Sequence, residues 1–305
     1  MQCPLSGPPT TRGRYVMRNF VQTTAKTAWH TEILARNARC KRLFFLISGY
    51  NQSAMTWEKF QESVILHEDD GVAIICRREY SPRRYVGLTS LADQINEVEA
   101  AILWLMQQPG FANTKPFLIG HSVGGLIARE IVARNTDMFE GLMQIAPVPT
   151  QRFALLTNWS FWRNGGFIAA FMALWGIVNG RGFVPPPYAV QGLYTGAIPE
   201  EMLDQYMRKL IPDSVRVFIE LLFFYDGREA WDKVTTHMHG TNVILVAPND
   251  TIIPERALKE MGAKYLFYLS PGTPHCIEFT CDELWKRNAR ISHLSFCKSW
   301  EHKRL

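Results

Sequence analysis

The chain has 305 residues, 47% hydrophobic and 20% charged, with a net charge of +5. That composition excludes a disordered or collagen-like chain, and the length allows a sizeable core. The positive balance comes without a long Lys/Arg run, so no nucleic-acid partner is expected.

The first residues, Met1–Phe20, contain no apolar signal-like core, and the six cysteines show no C-x-x-C or zinc spacing. Free thiols in a reducing, cytoplasmic setting are the expectation. A first strand is expected near Thr31–Ala35. Continuous apolar runs then mark six buried strands: Leu43–Ser48, Val72–Cys76, Phe117–Gly120, Gly141–Ala146, Val243–Ala247 and Tyr265–Leu269. Unbroken apolarity suits parallel strands covered on both faces. Helices are expected between them at Ala54–His67, Leu91–Gln107, Val123–Arg134 and Pro254–Met261, with a last one at Cys281–Trp300. Within Leu91–Gln107, the apolar residues Ile95, Val98, Ile102 and Leu105 recur every three or four positions. The alternation predicts an α/β fold with a mostly parallel central sheet flanked by helices.

The stretch from Pro147 to His239 breaks that rhythm. It offers helical segments near Pro199–Leu210 and Asp213–Phe224 but no sheet strand. It reads as a helical cap, residues 147–239, inserted into a core of residues 1–146 and 240–305. Its apolar run Phe167–Val178 would extend about 18 Å as a helix, short of the roughly 30 Å of a bilayer core. No transmembrane span is expected, although a lid helix in transient contact with a membrane surface fits the same residues.

Gly120-His-Ser-Val-Gly124 is a G-x-S-x-G pattern placed between a predicted strand and a predicted helix. Such a turn strains the serine backbone and needs glycine two residues to either side. It presents the Ser122 hydroxyl above the sheet, at a helix N-terminus that favours an oxyanion. A serine needs a base, and the base needs an orienting acid. Asp250 follows the strand Val243–Ala247, and His275 follows the last strand. Asp226 is the rival acid. His121 is read as packing and Cys276 as a buried thiol. Gly49 opens the loop after the first buried strand, which makes the Tyr50 and Val123 amides the expected oxyanion donors. The Tyr50 ring is also a candidate wall of an acyl pocket. His237 and His239 lack a third metal ligand, and neither a P-loop nor a dinucleotide fingerprint occurs, so no metal or organic cofactor is expected.

These motifs resemble the α/β-hydrolase superfamily from about Thr31 onward. Gly120–Gly125 is similar to the serine motif of its lipases and esterases, and Ala247–Pro254 to its acid loop. Ser48–Trp57 resembles its oxyanion loop, with Ser48 where the family usually has histidine. The insertion is similar to the caps of monoacylglycerol lipase-like and esterase-like members. The resemblance implies Ser122 as nucleophile, His275 as base and Asp250 as acid, with no cofactor. It implies a small-molecule ester, or a lipid, as the substrate. Phe167, Phe171 and Trp175 are the candidate pocket residues within an aromatic-rich cap. The same machinery also fits a thioesterase, an amidase, a C–C bond hydrolase, an acyltransferase or a ligand-binding receptor.

Overall fold

The computed structural model describes residues 17–22, 29–36, 42–57, 70–79, 88–107, 111, 114–179, 182–196, 198–238, 241–262, 266–276 and 287–288. The strands are β1 (Met17–Gln22), β2 (Trp29–Arg36), β3 (Arg42–Ile47), β4 (Asp70–Glu79), β5 (Pro116–His121), β6 (Gly141–Ile145), β7 (Asn242–Val246) and β8 (Leu266–Tyr268). They form one eight-stranded sheet in the order β1-β2-β4-β3-β5-β6-β7-β8. The six strands from β4 to β8 pair in parallel, and β1 and β2 add an antiparallel edge. β1 escapes sequence reading because Met-Arg-Asn-Phe-Val-Gln has no continuous apolar run.

Apolar residues along each central strand serve both faces in turn. Leu43, Phe45, Ile47, Leu118 and Ile244 enter one core, while Phe44, Leu46, Ile119 and Leu245 enter the other. This period-two division needs every residue of the run to be apolar, which is why the runs are unbroken. Helices α1 (Leu91–Met106) and α2 (Val123–Arg134) cover the first face with Ile95, Val98, Ile102, Leu126 and Ile131. Ser90 starts α1 by accepting from Asp93 N–H at 3.1 Å, and the Asp93 carboxylate accepts Ser90 N–H in return.

Between β6 and β7 the described residues carry helices, turns and isolated bridges such as Phe183 with Asp213, but no strand. The longer helices are α3 (Phe167–Asn179), α4 (Glu200–Met207), α5 (Val215–Phe223) and α6 (Arg228–His237). Helix α7 (Glu255–Glu260) follows β7. The expected helix Ala54–His67 lies outside the described residues, except for a 3₁₀ turn at Ala54–Trp57. The expected Cys281–Trp300 helix is described only at 287–288, which are helical. No helix among the described residues is long and apolar enough to cross a membrane.

Candidate active site

Parallel strands bring their carboxyl ends to one edge, and the site forms there from the turns after β3, β5, β7 and β8. Ser122 links β5 to α2 with φ 54° and ψ −121°, a conformation rare for a residue with a Cβ. Such backbone costs about 1–3 kcal/mol and persists only when its surroundings hold it. Ser122 N–H donates to Ile145 O at 2.9 Å, and Ser122 O accepts from Gly125 N–H at 3.0 Å. Any side chain at Gly120 would run into the Gly124 backbone. One at Gly124 would meet the Ile47 carbonyl, and the Ser48 carbonyl at 2.7 Å. Glycine at both positions is therefore a steric requirement. The same close approach sets the N-terminus of α2 against the end of β3, where Gly49 and Tyr50 lie. Val123 is the first residue of α2, so its N–H has no acceptor within the helix.

Asp250 and His275 lie 25 residues apart in sequence, and His275 Nδ1 donates to Asp250 Oδ2 at 2.6 Å. Both side chains are 1% exposed. The other carboxylate oxygen, Oδ1, accepts from Ile252 N–H and Ile253 N–H, each at 2.8 Å. Every orientation of the carboxylate but one is thereby excluded. With Nδ1 protonated, the neutral ring keeps its lone pair on Nε2. That Nε2 is buried and has no hydrogen-bond partner among the described residues. No hydrogen bond joins it to Ser122 Oγ in this resting arrangement. Such bonds are often long until substrate is bound.

Gln52, Asn158 and Asn288 brace these loops without having been visible as a motif. Gln52 Oε1 accepts Gly49 N–H at 2.8 Å, and its Nε2 donates to Cys276 Sγ at 3.3 Å. The loop after β3 is thus fastened to the residue after His275. Ser48 Oγ accepts Trp57 Nε1–H at 3.0 Å. Asn158 donates to the Thr251 and Ile252 carbonyls at 3.0 and 2.9 Å, which fixes the turn that follows Asp250. Asn288 accepts Ser270 N–H and donates to Thr273 Oγ1 ahead of His275.

Several expectations are corrected. His121 does more than pack. Its ring lies 4.9 Å from the His275 ring, with one nitrogen 2.9 Å from Gln52 Oε1 and the other 2.8 Å from the His275 carbonyl, and the neutral ring donates to one of the two. The Tyr50 ring packs among Phe183 and Phe218, with its hydroxyl donating to Ser214 O at 2.5 Å. Phe167, Phe171 and Trp175 are 60, 65 and 61% exposed, so they form an outer face of α3 and are not enclosed by the described residues. The reason lies in how the helix packs: α3 buries the small Ala169 and part of Met172, which leaves its large rings outward. The rival acid Asp226 is exposed and paired with Arg228. His237 ends α6 and bonds the Lys233 carbonyl, while His239 lies outside the described residues. Cys276 is a buried thiol that forms no disulfide among the described residues.

Burial, reinforced by the neighbouring His275, pushes the His121 pKa down from 6.5 to about 3, against a weaker upward pull from the His275 carbonyl. The unfolded chain therefore takes up a proton here that the native chain refuses, and stability falls as pH falls through this window. Each pH unit well below 6.5 costs about 1.4 kcal/mol. Denaturant titration between about pH 7.5 and pH 5 should show roughly 2 kcal/mol more loss in the wild type than in His121→Gln. Parallel pH profiles of the two proteins would contradict a neutral, buried His121.

A family model described as Alpha/beta hydrolase family matches residues 44–285. No curated protein sequence matches the chain. Among solved structures, a carboxylesterase of the thaumarchaeon Nitrososphaera gargenis is similar with a TM-score of 0.65 and 15% identity, over 94% of this chain and 100% of its own. The 2-hydroxy-6-oxo-6-phenylhexa-2,4-dienoate hydrolase of a Rhodococcus strain has a TM-score of 0.62 and 16% identity, over 95% and 99%. A monoacylglycerol lipase of Paleococcus ferrophilus has a TM-score of 0.51 and 17% identity, over 86% and 99%. At these identities the likeness is one of fold.

Proposed function

The chain belongs to the alpha/beta hydrolase family, and from that premise we propose that it is a serine hydrolase that cleaves carboxylic esters with apolar acyl groups. The observation that carries this reading is the His275 ring. Its Nδ1 is locked to Asp250, and its buried Nε2 has no other work, beside a strained serine turn.

Ser122 Oγ attacks the ester carbonyl carbon while its proton passes to His275 Nε2. The carbonyl electrons move onto oxygen, where the Tyr50 and Val123 amides receive them. The oxyanion collapses, the bond to the alcohol oxygen breaks, and His275 returns its proton to that oxygen. The alcohol leaves an acyl-serine. Water then repeats the attack, with His275 as base, to release the acid and restore Ser122. Asp250 stabilises the imidazolium in both halves.

We read residues 147–239 as a cap on a core of residues 1–146 and 240–305. Its contacts support this. Thr251 of the acid loop donates to the Gly192 and Leu193 carbonyls, and Cys276 N–H donates to Tyr194 O at 2.8 Å. The Tyr194 ring lies 6.0 Å from the His275 ring. An aromatic ring beside His275 favours apolar acyl groups. A reducing cytoplasm would keep the Cys276 thiol as it is.

A panel of p-nitrophenyl esters of rising chain length, one acyl thioester and one anilide tests the reading. Ester turnover should exceed anilide turnover and vary with chain length. Thioester or anilide turnover without ester turnover would contradict it.

A further inference from the structure

Helix α3 carries no charged residue in its 13 positions. Its exposed large side chains are Phe167, Phe171, Leu174 and Trp175, at 59–65% exposure. Spacings of four, three and one put them on one helical face. Trp159, 68% exposed, meets Phe167 edge-on at 6.5 Å and extends that face beyond the helix. A soluble monomer rarely leaves so much contiguous aromatic surface in water without a use for it.

Charge says what covers it. From Gly141 to Pro199 the sequence has no Asp, Glu, Lys or His, and its only charges are Arg152, Arg163 and Arg181. Arg163 is exposed, stands in the turn that leads into α3, and makes no ion pair among the described residues. A second copy docked face to face would set Arg163 against its own copy, and the segment that carries the face offers no acid to pair with it, because a two-fold contact repeats the same patch on both sides. An anionic lipid surface matches both features. Its headgroups attract arginine, and its interface accommodates Trp and Phe.

We infer that this face of α3, with Trp159 and Arg163, docks the protein on anionic phospholipid bilayers. The helix, about 20 Å long, lies flat in the headgroup boundary without crossing it. One short apolar face is a marginal anchor, so binding is weak, reversible and salt-sensitive. The docked face begins one residue after Asn158, whose amide holds the Asp250 loop. A lipid leaving the bilayer would thus arrive beside the candidate site. Docking itself does not depend on the ester chemistry.

The test is co-sedimentation of the full chain with extruded vesicles. One set is pure phosphatidylcholine, and the other contains about one-third phosphatidylglycerol. Wild-type protein should sediment with the anionic set and be released by high salt. Leu174→Glu, on the open face, should lower binding about tenfold or more. Arg163→Glu should weaken binding to the anionic vesicles by about tenfold and flatten the salt dependence. Both variants should turn over a short, water-soluble ester as the wild type does, which separates failure of docking from failure of the hydrolase reading. Docking is overturned if the wild type ignores anionic vesicles or if Leu174→Glu binds like it. It is also overturned if sedimentation velocity shows a wild-type dimer, unaffected by vesicles, that Leu174→Glu dissociates.

Discussion

Replacing His275 by alanine is expected to lower kcat on the best ester by roughly 10⁴-fold or more, the scale on which a lone base is lost from such a site. Nothing nearby can take over. The neighbouring His121 ring is buried and held neutral, with its two nitrogens facing Gln52 Oε1 and the His275 carbonyl rather than the space beside Ser122. His275→Ala also strips the Asp250 Oδ2 of its donor, and an unsatisfied buried group of this kind costs about 1–3 kcal/mol. His275→Gln is the cleaner variant, because its amide can still donate to Asp250 while offering no base. Both variants should lose kcat to a similar degree, with His275→Gln the more stable on denaturant titration. A kcat within tenfold of wild type in either would remove His275 from the chemistry.

Asp250→Asn is expected to cost about 10⁴-fold in kcat while leaving the fold intact. The argument is local. The Ile252 and Ile253 amides both point at Oδ1, so the asparagine oxygen must stay there. Its NH₂ is then forced towards His275 Nδ1, which becomes an acceptor. The ring proton moves to Nε2, and the lone pair needed by Ser122 is gone. The midpoint of denaturation should move little by comparison. A near-normal kcat would mean that a different acid orients the ring.

The runs Leu43–Ser48 and Val243–Ala247 were legible as strands because burial on two faces writes itself as unbroken apolarity. The glycines flanking Ser122 were legible because their reason is steric and local. The meeting of Asp250 with His275 followed from strand order, since both sit where parallel strands end. Gln52, His121 and Asn158 were not legible. The partners that tie them to other loops lie 69 to 224 residues away, a distance over which no periodicity carries information. The direction of the α3 rings was hidden for a different reason. Composition says that Phe167, Phe171 and Trp175 are apolar, but which side of a helix meets the core depends on its tertiary neighbours. The antiparallel edge formed by β1 and β2 was half hidden, because edge strands need no continuous apolar run.

The central claim is that Ser122 is the nucleophile, and intact-protein mass measurement after treatment with a fluorophosphonate tests it most directly. Wild-type protein should gain one adduct, mapped to Ser122, in parallel with loss of ester turnover, and Ser122→Ala should gain none. An adduct of equal yield on Ser122→Ala, or one mapped to another residue in the wild type, would contradict it.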